Sequence, residues 1–138
     1  MAVRLDPDDE SLERCLRDAV PGVLAGYVFG SVAAGEARQG SDVDLGVLCR
    51  APLSPLQRFE AQEAIARRLG VDVDLIDLRR ASTVLCMQVI TTGRLLFSGD
   101  ERQRDVFEDF TFSSYARLNE ERAAILEQIT REGTVHGR

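Results

Sequence analysis

The chain of 138 residues has no lysine; its 17 basic residues are all arginine, set against 23 acids for a net charge of −6. The arginines form no cluster. Nucleic acid is held by concentrated positive charge, so direct nucleic-acid binding is not expected. A cation site or a basic protein partner suits this balance better. Cysteine is also scarce: Cys15, Cys49 and Cys86 lie far apart, with no Cys-x-x-Cys pair. An odd, scattered set inside apolar patterns reads as buried free thiols in a reducing compartment. The single histidine, His136, sits in the terminal Thr-Val-His-Gly-Arg stretch, a place for a frayed surface residue and not for a ligand. Long apolar runs and signal-peptide features are missing too, and the expected location is the cytoplasm. There are no repeats and no low-complexity segments.

What is present is 44% hydrophobic and 29% charged, the composition of a soluble globular chain long enough for one domain with a real core. The chain is organised around residues 30–44, Gly-Ser-Val-Ala-Ala-Gly-Glu-Ala-Arg-Gln-Gly-Ser-Asp-Val-Asp. This stretch joins two apolar runs, 23–29 and 45–49, the first read as a strand and the second as part of a strand over 42–49. Gly30 lets the backbone turn tightly and approach a ligand, and Ser31 adds a hydroxyl beside backbone N–H groups suited to a phosphate. On a strand, Asp42 and Asp44 point the same way, roughly 7 Å apart. Paired carboxylates need positive charge between them, and a hard cation such as Mg²⁺ bridges oxygen ligands to substrate phosphates. Either half alone is an ordinary turn or strand end; the two at this spacing predict a metal-dependent phosphate site. On the strand, Val43, Leu45 and Val47 are expected to fill one face. Gly46, on the face of the aspartates, is expected to leave room for a ligand or a close backbone.

The remaining pattern alternates helices and strands. A first helix is expected over 7–20, capped by Asp6 and started by Pro7, with Leu12, Cys15, Leu16, Ala19 and Val20 as its apolar stripe. Gly30 and Ser31 lead into a short helical segment over 32–37, and Arg38 in the following loop is within reach of a triphosphate. Ser54 caps a helix over 55–69 that Gly70 ends. Residues 71–78, Val-Asp-Val-Asp-Leu-Ile-Asp-Leu, read as a third strand. Asp72 and Asp74 share one face there and Asp77 has the opposite parity. Either of the first two supplies the third carboxylate that phosphoryl-type transfer uses as a general base. Ser82 caps a helix through Ile90, and 94–97 is a short extended piece. A long helix follows over 101–131, with 133–138 as a tail. Apolar residues of that helix, among them Phe112 and Tyr115, either dock on the sheet or face a partner. The fold class is α/β (α+β): a small, mixed, twisted sheet flanked by helices in one domain over 1–132, with its core at 23–97.

Gly30-Ser31, ten residues and then Asp42-Val43-Asp44 resembles the signature of the DNA polymerase β-type nucleotidyltransferase superfamily. In its short length and flanking text the chain is similar to the minimal nucleotidyltransferase (MNT) domains, the MntA-type antitoxins that pair with HEPN-domain toxins. The resemblance covers about 23–97. In that family the third carboxylate opens an Asp-Leu-Val-Asp-Leu-like segment, which Asp74-Leu75-Ile76-Asp77-Leu78 matches, so the resemblance selects Asp74 over Asp72. It implies catalytic and metal-binding roles for Asp42, Asp44 and Asp74, phosphate contacts at Gly30 and Ser31, and one or two Mg²⁺ ions. It further implies ATP as donor and a tyrosine of a HEPN ribonuclease toxin as acceptor, in a hetero-oligomer. Ala34 departs from the pattern, since family members often carry a basic residue there. The alternatives are a small-molecule acceptor and an antitoxin that neutralises by binding alone.

Overall fold

The computed structural model describes residues 7–35 and 42–136. The expected cap at Asp6 and the loop residues Arg38, Gly40 and Ser41 lie outside them. The first helix, α1 (Asp9–Ala19), starts two residues later than expected and is capped by Asp8, which accepts from the Ser11 N–H at 2.8 Å. Its carboxyl is held below the ordinary carboxylate range by the hydrogen bonds from Ser11. Leu12, Cys15, Leu16 and Val20 are buried as the stripe predicts.

The sheet has the order β3-β2-β1-β4. β1 (Val23–Phe29) is central, β2 (Val43–Cys49) runs antiparallel to it, and β3 (Val73–Asp77) is parallel to β2. β4 (Arg94–Ser98), expected only as an extended piece, pairs antiparallel with the other edge of β1. Both β2 and β3 are shorter than expected, and Asp42 lies just ahead of the strand it was assigned to. A parallel pair cannot be joined by a hairpin and needs a crossover. That crossover is α3 (Pro55–Leu69), closed at its start by a reciprocal Ser54–Gln57 capping box and at its end by Gly70 in the left-handed region.

Burial follows the strand period. Val28, Val43, Leu45, Val47 and Leu75 face α1 and α3 and pack with Leu12, Leu16 and Ile65. Ala25, Tyr27, Phe29 and Leu48 face the opposite layer and pack with Leu78, Cys86 and Val89. Most of that second layer is α4 (Thr83–Thr92), two residues longer than expected. Gly46 is a correction: a Cβ there would lie 3.2 Å from Val89 and 3.4 Å from Leu78. Core side chains of the second layer fill that space, so it holds neither a ligand nor a neighbouring backbone. All three cysteines are buried free thiols, and burial pushes the Cys49 thiol up to about 12.

The last helix, α5 (Glu101–His136), runs through Gly133, where a tail was expected, and spans roughly 54 Å at 1.5 Å per residue. Its first third docks on the sheet. Tyr27 donates to Glu108 at 2.6 Å, Arg104 bridges Glu108 and Ser98, and Thr111 is buried. Phe110 and Phe112 are exposed and Tyr115 is half-buried. Further along, Ile125, Leu126 and Ile129 stand more than half exposed, so the stripe divides between docking and open surface. Among the described residues, no helix is long and apolar enough to cross a membrane.

Candidate active site

β1 delivers the chain to Gly30 at a φ of 73°, a left-handed conformation that a side chain disfavours. There the single turn α2 (Gly30–Ala33) begins, shorter than the helical segment expected at this place. Ala34 closes the turn by donating its N–H to the Gly30 carbonyl at 3.1 Å. The absence of a side chain at Gly30 has a second cause. A Cβ there would lie 2.2 Å from Oδ2 of Asp44, so glycine is what lets this carboxylate rest against the turn.

Register brings the two together. Phe29 pairs with Asp44 across the antiparallel ladder, which sets Gly30 beside the carboxylate. On its other side, Asp44 pairs with Asp74 in the parallel ladder. Adjacent strands lie about 4.8 Å apart, so Asp44 and Asp74 stand side by side on one face. Asp42 is exposed just ahead of β2, and Ser31 is half-buried in the turn. Burial, then the charge of Asp74, then that of Asp42, push the Asp44 carboxyl above the ordinary carboxylate range.

Asp72 and Asp77 sit differently. Asp72 is exposed at the start of β3, its carbonyl accepts from Val43 N–H at 2.9 Å, and its charge is not among those acting on Asp44. Asp77 points into the opposite layer and is only 3% exposed. It accepts from the N–H groups of Leu53 at 2.7 Å and Arg79 at 3.0 Å, with Arg80 Nε 3.9 Å away. It ties the loop before α3 to the end of β3.

The donors around Asp44 are all carboxylate oxygens, the hard ligands that Mg²⁺ takes and that a zinc site of nitrogen and sulfur would not offer. Among the described residues, no three His, Cys, Asp or Glu side chains converge as a ready-made cage. Mg²⁺ is usually held by one or two carboxylates together with substrate phosphates, which an Asp42/Asp44 pair beside the Gly30 turn provides. A cation there would relieve the crowding of carboxylates around Asp44. The donor set fits the group.

Two arginines near this site escaped the sequence reading. A cleft of about 410 Å³ runs along the outer side of β3, with Asp74, Arg58 and Arg80 in its wall. Gln62 of α3 accepts from the Leu75 N–H at 2.9 Å and Arg58 donates to the Leu75 carbonyl at 3.3 Å, which covers the free edge of the strand. The only trace of this in the sequence is the pair Arg79-Arg80 following the third strand. Nothing in spacing ties Arg58 to it, because the rest of α3 and all of β3 lie between them.

The family described as "Polymerase beta, Nucleotidyltransferase" matches residues 10–102. The chain is 38% identical over 122 residues to protein adenylyltransferase MntA of Shewanella oneidensis, covering 88% of this chain and 87% of that protein. Among solved structures it is similar to a chain of a toxin–antitoxin crystallised with AMP-PNP, at 38% identity and a TM-score of 0.78, covering 90% and 99% of the two chains. It is also similar to a chain of the complex between a tri-AMPylated Shewanella oneidensis HEPN toxin and its MNT antitoxin. There the identity is 37% and the TM-score 0.71, over 88% and 95%. The chain belongs to the polymerase beta nucleotidyltransferase family.

Proposed function

We propose that this protein transfers AMP from ATP to a tyrosine hydroxyl of a cognate HEPN-domain toxin, adds more than one AMP unit, and thereby acts as its antitoxin. The observation that carries the chemistry is the seating of Asp44 between the Gly30 turn and Asp74. The acceptor class rests on the likeness to MntA over nearly the whole chain.

In this reading Gly30 and Ser31 seat the β- and γ-phosphates of ATP at the turn. Asp42 and Asp44 would hold Mg²⁺. When bound, Mg²⁺ supplies charge neutralisation at the transferring and leaving phosphates. Asp74 lies on the far side of Asp44 from Gly30 and takes the proton from the acceptor hydroxyl. The hydroxyl oxygen forms a bond to the α-phosphorus, the bond from the α-phosphorus to the bridging oxygen breaks, and pyrophosphate leaves. The carboxylates place donor and acceptor for in-line attack, which is where much of the rate gain in such transfers arises.

The test is to incubate the protein with the toxin, ATP and Mg²⁺ and to read the toxin's intact mass. Whole AMP units are expected with the wild type and none with the Asp42→Asn/Asp44→Asn variant. A stable complex without any mass gain would mean neutralisation by binding alone. No gain and no complex would redirect the search to small-molecule acceptors.

A further inference from the structure

The cleft along the outer side of β3 has a composition that the first transfer does not need. Asp74 stands at one end. Pro55, Ile76 and Leu85 give it an apolar lining, while Arg58 and Arg80 bring two positive charges. Arg80 is anchored rather than loose: its Nε donates to the Leu53 carbonyl at 2.7 Å. Its side chain is nevertheless 59% exposed, and its terminal nitrogens have no acceptor among the described residues. Arg58 is likewise held, by Gln62 and the Leu75 carbonyl through one nitrogen. Two guanidinium groups fixed in place with free N–H groups suit a phosphate, which they grip in a planar fork. An apolar lining suits a base, and about 410 Å³ lies within the range of small-ligand sites.

The position in the sheet decides which nucleotide this is. The donor's phosphates belong at Gly30, beyond β2 on the β1 side, whereas the cleft lies on the opposite side of Asp74 at the sheet edge. A nucleotide in the cleft is therefore on the acceptor side. We infer that the cleft holds the AMP unit already attached to the acceptor, with Arg80 and Arg58 on its phosphodiester, so that its ribose hydroxyl meets Asp74 for the next addition. This rests on the reading above. In each further round, the ribose oxygen bonds to the α-phosphorus of a new ATP, pyrophosphate leaves and the hydroxyl proton passes to Asp74. Arg80 and Arg58 are then specificity-determining residues for chain extension, set apart from the residues of the transfer itself.

The experiment follows the toxin's intact mass with time for wild type, Arg80→Gln and Arg80→Lys, and fits separate rates for each addition. Alongside it, calorimetry measures binding of the dinucleotide ApA, a phosphodiester with a free ribose end, in the presence of saturating AMP-PNP and Mg²⁺. With Arg80→Gln the ratio of the second rate to the first is expected to fall about tenfold or more, mainly through KM, and ApA binding to weaken by a similar factor. Arg80→Lys, which keeps the charge, should recover part of both. Equal loss in every round would overturn the inference, because it would make the cleft a seat for the toxin's own side chain. An unchanged ratio, unchanged ApA binding or a wild type that stops after one AMP would overturn it as well. A wild type that adds no AMP would sink the transferase reading instead, and ApA binding would still decide the cleft.

Discussion

The two ends of β3 each carry an aspartate with a strongly constrained neighbourhood, and the constraints are opposite in kind. At the far end, Asp77 is buried and satisfied by two backbone N–H groups, with a guanidinium close by. At the near end, Asp74 faces Asp44, which has Asp42 on its chain two residues earlier and no hydrogen-bond donor among the described residues. Burying a carboxylate with donors fixes structure; crowding carboxylates without them costs stability. A protein keeps the second arrangement only where something outside the chain repays it. The near end is the one we propose as functional, and its cost in the free protein is a measurable property.

The sharpest way to break this comparison is to exchange the roles. Asp74→Asn should lower the adenylyl-transfer rate by about 10²- to 10⁴-fold, the usual range for a lost general base, and raise the urea midpoint of the metal-free protein slightly, because it removes a charge that crowds Asp44. If the rate holds, Asp74 is not the base and Asp72 must be tested. Asp77→Ala should do the reverse, since it strands the Leu53 and Arg79 N–H groups. Chemical denaturation is expected to show a loss of roughly 2–4 kcal/mol, with the folded fraction still active.

Gly30→Ala joins the two effects. Its Cβ would strike Asp44 Oδ2, and the left-handed backbone adds about 1–2 kcal/mol of strain. Lower stability together with at least tenfold slower transfer is expected, because the alanine displaces the carboxylate; unaltered kinetics would remove Gly30 from the site.

Asp44→Asn should raise the melting temperature of the metal-free protein by a few degrees while abolishing transfer. The sign follows from the raised carboxyl: the folded state favours the protonated form. Its contribution is present below the ordinary Asp range and is lost as pH rises through the higher folded value. The gain from asparagine should therefore be largest at neutral pH and vanish in acid. Mg²⁺ should stabilise the wild type, and this variant much less. The smallest effect is expected far from either end. Ile125→Ser and Leu126→Ser in the exposed stretch of α5 should shift stability by less than about 0.5 kcal/mol, as read by thermal melting of the isolated protein.

Much of this was legible in sequence. The Gly-Ser turn and the Asp-x-Asp strand could be paired because each was attached to an apolar run, and Ser54, Ser82 and Gly70 marked helix ends by their own chemistry. Asp8 caps the first helix because an aspartate three residues before Ser11 reaches its N–H directly. The space at Gly46 was misread because a glycine on a strand looks the same whether a ligand or a valine from a distant helix fills it. Arg58 and Arg80 were invisible as a pair, since only the crossover brings α3 and the end of β3 to one cleft.

By itself, then, the sequence determined the alternation of helices and strands, the residues that cap their ends, and the parity that sends Val43, Leu45 and Val47 to one face of the sheet. These depend on local backbone geometry and on side-chain chemistry, which residue order states directly. Only the tertiary structure decided that Asp44 rests on Gly30, that Asp74 faces Asp44 where Asp72 does not, and that two arginines wall the cleft beside them. Those facts depend on strand order and register, which arise when separated segments share one core.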